Sequence, residues 1–190
     1  MLKQLLPNGL PVISRFITDH NAEGQACFSN RNAEVMSWVA INPVANFALG
    51  YTTSRFPVKF ADEEDITEYE AYLKDRPGIT IPGGTVLRFV DMAPGETSPM
   101  HRTVSLDYGV VLEGEVELVL DSGETRTLRR GDVAIQRGTK HAWKNAGAGW
   151  CRMMYVLQES KPFKVAGKTL GEDYGEGMGD VRASGPKAAS

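Results

Sequence analysis

The chain has 190 residues, 42% of them hydrophobic and 24% charged, and a formal net charge of -3. That is enough apolar material for one folded domain with a sizeable core, and the balance of charge gives no electrostatic reason to expect a nucleic-acid partner. No run approaches the roughly 20 apolar residues that a membrane span requires. Pro7, Asn8, Gly9 and Pro11 break up the N-terminus where a secretory leader would carry its apolar stretch. The two cysteines, Cys27 and Cys151, form no CxxC and no disulfide framework, so they read as thiols in a reducing compartment. A cytoplasmic protein with no membrane partner is the expectation by elimination.

Taken in chain order, the first third is strand-like. Val12 to Thr18, Gln25 to Ser29, Met36 to Ile41 and Phe47 to Thr53 are rich in β-branched and aromatic residues. Between the first two lies a polar stretch whose Asp19, Asn21 and Gly24 supply turn chemistry, so His20 reads as a turn residue. Residues 62 to 76 are the one good helix candidate: acidic at the start, basic at the end, with Ile66, Tyr69 and Leu73 on one face and Pro77-Gly78 as the stop. The acidic run reads as a solvated helix start.

From Gly84 the chain becomes a series of short strands: Thr85 to Met92, Asp107 to Leu112, Glu115 to Asp121, Glu124 to Leu128, Asp132 to Gln136, His141 to Asn145 and Cys151 to Leu157. Glu113-Gly114 and Ser122-Gly123 are hairpin signals. Short strands with frequent glycine turns, and no room for helices between them, predict an all-β sandwich or barrel. The division expected is residues 1–83 as an N-terminal β extension with a short helix packed on the barrel, 84–166 as the barrel and 167–190 as a glycine-rich flexible tail, in one domain overall.

Two motifs carry the chemistry. One runs from Gly95 through His101, Thr103 and Asp107 to Gly114; the other runs from Gly131 through Gln136 and Gly138 to His141 and Asn145. Of the three histidines in the chain, two therefore follow matched glycine turns just before a strand. Alternate residues of a strand share a face, which sets His141 with Trp143 and Asn145, and Asp107 with Gly109 and Val111. A carboxylate opening an apolar strand needs a partner if that face is buried, and two imidazoles are the natural candidates.

This pair of motifs resembles that of the cupin family over roughly residues 84 to 157. Gly95, His101 and Gly114 fit the first family motif, with Thr103 where a second histidine belongs and Asp107 where a glutamate belongs. Gly131, Gly138, His141 and Asn145 fit the second, with Gln136 in place of a proline and the first spacer one residue short. The resemblance implies a double-stranded β-helix, or jelly-roll barrel. It implies a divalent metal ion (zinc, iron or manganese) held by His101, Asp107 and His141, with Thr103 left to hold a water or substrate. The competing reading keeps the pocket without the metal: a histidine oriented by a carboxylate acts as base, and Tyr155, in phase with Met153 on the last strand, acts as acid. Trp143, Met153 and Val111 are expected to line the pocket for a small hydrophobic substrate. The pattern is similar to that of small stand-alone cupins of bacteria and fungi, some encoded beside polyketide-type pathways. It leaves open a non-redox lyase or isomerase, which we prefer, a mononuclear non-heme iron dioxygenase, and a non-catalytic small-molecule binder. Because small cupins commonly pair, and residues 12 to 60 hold more apolar surface than one barrel wall needs, a homodimer is expected.

Overall fold

The computed structural model describes residues 6–42, 44–175 and 184. Among them the regular secondary structure is almost all antiparallel sheet. A two-stranded hairpin, β1 (Thr18–His20) and β2 (Ala26–Phe28), is followed by β3 (Trp38–Asn42) and β4 (Ala45–Thr53). Helix α1 (Glu64–Lys74) comes next. Then follow β5 (Thr85–Met92), β6 (Ser105–Glu113), β7 (Glu115–Leu120), β8 (Thr125–Arg129), β9 (Val133–Arg137), β10 (His141–Lys144) and β11 (Cys151–Glu159). A last hairpin joins β12 (Phe163–Val165) to β13 (Lys168–Leu170).

Two sheets make the barrel. One has the order β3-β4-β5-β11-β6-β9 and the other β10-β7-β8. Their inner faces meet in a core to which both contribute: Met92, Val111, Ala134 and Met153 from the first, and Val116, Leu128 and Trp143 from the second. The N-terminal third joins the barrel through the larger sheet itself, because β4 pairs with β5 from Ala45↔Met92 to Thr53↔Thr85. No helix among the described residues is long and apolar enough to cross a membrane.

Four expectations need correction. The Glu113-Gly114 signal is not a hairpin, because β6 and β7 lie in different sheets. Gly114 has φ 76°, and a Cβ there would sit 3.1 Å from Cα of Cys151, so this glycine carries a continuous strand round the barrel corner rather than reversing it. Val12 to Thr18 is not one continuous strand: Ser14 makes an isolated bridge to Val35, Arg15 donates to the Glu34 carbonyl and Ile17 accepts from Ser29, but only Thr18 enters a strand, β1, opposite Phe28. His20 ends β1, with the reversal just after it: Asn21 Oδ1 accepts from the backbone N–H groups of Glu23 and Gln25. The acidic stretch is not simply solvated. Arg31 pairs with Glu63 and Glu70, and Arg55 and Lys59 pair with Glu64.

Helix α1 is shorter than expected and buries Asp65, Ile66 and Tyr69, whereas Leu73 stays 37% exposed. Asp65 tolerates burial because Tyr51 donates its hydroxyl to it at 2.7 Å. After the helix, Ile79 and Ile81 pack with Leu49, Tyr69, Val86 and Leu157 over one end of the barrel. The expected tail is tied down as far as residue 175. Arg102 and Asp173 exchange backbone hydrogen bonds at 2.6 and 2.9 Å, Lys140 pairs with Asp173 at 2.6 Å, and Tyr174 packs on the Leu49–Leu157 cluster. The rest of the tail, apart from Ser184, lies outside the described residues.

The outer face of the large sheet holds a buried ion pair. Arg152 donates to both oxygens of Asp91, at 2.5 and 2.6 Å, and its guanidinium lies 4.6 Å from the Trp38 ring centroid. Asn8 donates to Asp91, and Arg152 to the Pro11 carbonyl, which pins the N-terminal segment across this face.

Candidate active site

His101 and His141 are brought together by backbone geometry. Their N–H groups donate to each other's carbonyls, both at 2.8 Å, so the two residues face each other as a hydrogen-bonded antiparallel pair. The rings lie side by side, centroids 4.5 Å apart at 51°. Each Nδ1 sits against a backbone carbonyl, Pro99 O at 2.7 Å for His101 and Thr139 O at 2.9 Å for His141. A carbonyl can only accept, so Nδ1 carries the hydrogen in both rings and Nε2 keeps its lone pair. Burial lowers the pKa of His101. It also pushes His141 down to about 4, helped by the charge that His101 would carry. Both imidazoles are therefore neutral at pH 7.

Asp107 lies on the inner face of β6, opposite Leu157 on β11 and Gln136 on β9. It is 4% exposed. Oδ2 receives a long hydrogen bond from the Thr103 hydroxyl, 3.4 Å, and Thr103 in turn accepts from Ser105 at 2.5 Å. Oδ1 is buried with no partner. Burial pushes the carboxyl up to about 6, against the pull of the Ser105 and Thr103 hydroxyls and the charge of Arg88.

These groups line a cavity of about 130 Å³ at the end of the barrel where β6 begins and β11 ends. A closed apolar cavity of about 150 Å³ holds benzene, so this is room for roughly six heavy atoms. His101, Thr103, Asp107, His141, Trp143 and Tyr155 all reach it. Val111 and Met153 do not. They pair across β6 and β11 farther along the barrel and belong to the closed core with Trp143. The Tyr155 ring lies over Gly109, where a Cβ would come within 3.0 Å of it, and packs edge-on to Trp143 at 5.8 Å. Its hydroxyl donates to Met153 Sδ at 3.2 Å, and burial raises its pKa well above the ordinary tyrosine value, so it stays protonated. Asn145, the last residue of the second motif, is structural. Its amide donates to the carbonyls of Met92, Ala93 and Gly149, and its oxygen accepts from the Gly147 N–H, clamping the loop after β10.

The three-ligand metal set expected from the sequence is not assembled. The two Nε2 lone pairs suit a divalent ion, but among the described residues no third His, Cys, Asp or Glu joins them. Asp107 carries one methylene fewer, about 1.5 Å of reach, than the glutamate it replaces in the family motif, and Thr103 offers a hydroxyl where an imidazole would stand. The donors present do not fit a three-ligand site.

Sequence reasoning passed over Arg88. It lines the cavity from β5, its guanidinium 5.6 Å from the Phe47 ring centroid. The signal was its phase: Val86, Arg88 and Val90 point to one face of a strand that is otherwise apolar on that side.

A two-sheet jelly-roll barrel with paired histidines at one mouth defines the class, and the comparisons agree: the chain belongs to the cupin family. The family's cupin-domain model matches residues 88–157. The chain is 49% identical to phomopsin biosynthesis cluster protein C' of Diaporthe leptostromiformis over 90% of this chain and 92% of that one. It is 42% identical to oryzines biosynthesis cluster protein J of Aspergillus oryzae, covering 87% and 93% of the two chains. It is also 42% identical to a cupin-domain-containing oxidoreductase of Hypocrea virens, covering 83% and 81%.

Proposed function

We propose that this cupin is an enzyme of the lyase or isomerase class that moves a proton beside a carbonyl in a small, mostly apolar substrate. One observation carries the reading: Asp107 lines the cavity with a desolvated carboxyl group whose Oδ1 has no hydrogen-bond partner among the described residues, and burial raises its pKa to about 6. A carboxylate with a pKa close to neutrality is ionised enough to take a proton and basic enough to hold it. The Asp107 carboxylate removes the proton from the carbon next to the carbonyl. Tyr155, protonated and held only by a weak sulfur acceptor, donates a hydrogen bond to the oxygen on which charge develops. The neutral imidazoles of His101 and His141 accept hydrogen bonds from a substrate hydroxyl and so orient it. The proton then returns to a second carbon in an isomerisation, or to the leaving group in an elimination. Relatives named for phomopsin and oryzines biosynthesis clusters support a substrate from secondary metabolism.

A second reading is favoured by the naming of relatives such as the Hypocrea virens protein as oxidoreductases. The two separate cleanly. Small enolisable ketones and oxo acids are incubated in D₂O, and exchange at the carbon beside the carbonyl is followed by NMR. Wild type should catalyse exchange at the same rate under argon and air, and Asp107→Asn should be slower by about a hundredfold. Turnover that strictly consumes oxygen, or exchange untouched by Asp107→Asn, refutes the proposal.

A further inference from the structure

Arg88 is a buried cation with no carboxylate partner among the described residues. It is 8% exposed, and among the described residues its one side-chain hydrogen bond runs from Nη2 to the Gly78 carbonyl at 2.7 Å. The other buried arginine of the larger sheet shows how this protein stabilises such a charge when it serves structure: Arg152 is clasped by both oxygens of Asp91. Arg88 has no such partner among the described residues. Asp107 acts on it only through space. Burial lowers its pKa, to about 10, which still leaves a full positive charge at pH 7. A guanidinium offers five N–H donors in a planar fork, and an unpaired charge in an apolar wall is costly. An anion that enters the cavity would offset that cost.

We propose that Arg88 anchors a carboxylate of the substrate, so that the cavity takes a small oxo acid with its carboxylate on the guanidinium and its apolar body against Phe47, Val90 and Trp143. This rests on the cavity being the substrate site. A carboxylate matches the fork in shape and carries the one negative charge that a single cation balances. A phosphate dianion would bury one more negative charge than a carboxylate does beside the same single cation and the Asp107 carboxylate. The stacking of Arg88 over Phe47 holds the guanidinium plane in place before the ligand arrives.

The test uses benzoate and its neutral isostere benzamide as probes, titrated into the full chain by calorimetry. Wild type should bind benzoate at least about tenfold more tightly than benzamide, as expected for a hydrogen bond to a charged group. Arg88→Met should remove that preference while leaving benzamide binding in place. It should melt no lower than wild type, because it deletes an unpaired charge and keeps the volume. If Arg88→Met does not fold, Arg88→Lys decides: a point charge without the fork should keep only part of the preference. Asp107→Asn should keep or increase it, since that change removes a like charge. The acid–base reading can therefore fail in turnover while the anchor stands, and the reverse. Equal binding of the two probes to wild type, no saturable benzoate signal up to about 50 mM, or full preference in a folded Arg88 variant would overturn the proposal.

Discussion

Replacing Asp107 with asparagine should stabilise the protein at pH 8 and leave it unchanged at pH 4. The carboxyl moves from an ordinary value of 3.8 up to about 6 on folding, chiefly through burial. Two units at about 1.4 kcal/mol each give a cost of about 3 kcal/mol for keeping it ionised in the fold. Because the folded pKa is the higher one, the native state binds more protons between pH 3.8 and 6. Wild-type stability from this group is therefore fully present below 3.8 and is lost as pH rises through 6. Asparagine keeps the shape and carries no charge, so it escapes the loss. For a chain of this size about 3 kcal/mol corresponds to roughly 6–12 °C in melting temperature. Neither histidine of the site owes its shift to Asp107, so their titration cancels when variant and wild type are compared at one pH. Calorimetric melts of both proteins at pH 4 and pH 8 supply the measurement. An asparagine variant less stable than wild type at pH 8, or equally stabilised at both pH values, refutes the reasoning.

Three other expectations follow from the same geometry. His141, lowered from 6.5 to about 4, contributes stability that is present above 6.5 and lost as pH falls through 4. Urea titrations should show His141→Gln losing about 3 kcal/mol less than wild type between pH 7 and pH 4. Asp91→Asn strands the Arg152 charge on the outer face and should cost about 3–5 kcal/mol; a loss below about 1 kcal/mol by urea midpoint would mean the pair is not closed in solution. Thr103→His places a third imidazole on the cavity wall beside His101 and His141, and should tighten zinc binding by at least about tenfold over wild type in equilibrium dialysis. Unchanged zinc affinity would show that position 103 does not face the pair.

The barrel was legible because alternation and glycine turns are local signals, and from Thr85 to Glu159 nothing competes with them. Misreadings arose where the same signal serves two geometries. A glycine at positive φ can reverse a strand or carry it round a corner, and only the pairing of β7 with β8 and β10 rather than β6 tells which Gly114 does. Val12 to Thr18 has strand composition, but its partners change along its length, from Val35 opposite Ser14 to Phe28 opposite Thr18, so only its end joins a ladder. His101, His141 and Asp107 stood out as polar groups in apolar strands. Their common approach to one ion did not follow, because it depends on side-chain reach across the mouth, and an aspartate falls short where a glutamate would extend.

Buried charge is where pattern alone stops and register begins. Strands β5 and β11 carry Arg88, Asp91 and Arg152, and composition cannot say which two pair. The register can: Arg152 stands directly opposite Asp91, whereas Arg88 stands opposite Tyr155 on one side and Leu49 on the other. Asp91 and Arg152 therefore close on each other on the outer face and hold the N-terminal segment there. Arg88 and Asp107 are left on the inner face, on strands separated by β11. A barrel that merely needed to fold would gain by replacing both with apolar residues. Keeping opposite charges apart across a small apolar cavity is costly unless a ligand completes both, an acidic group against the arginine and a transferable proton against the aspartate. The two charges, neither of them ion-paired among the described residues, thus describe one molecule between them, and the stability gained by deleting either measures what the fold gives up to bind it.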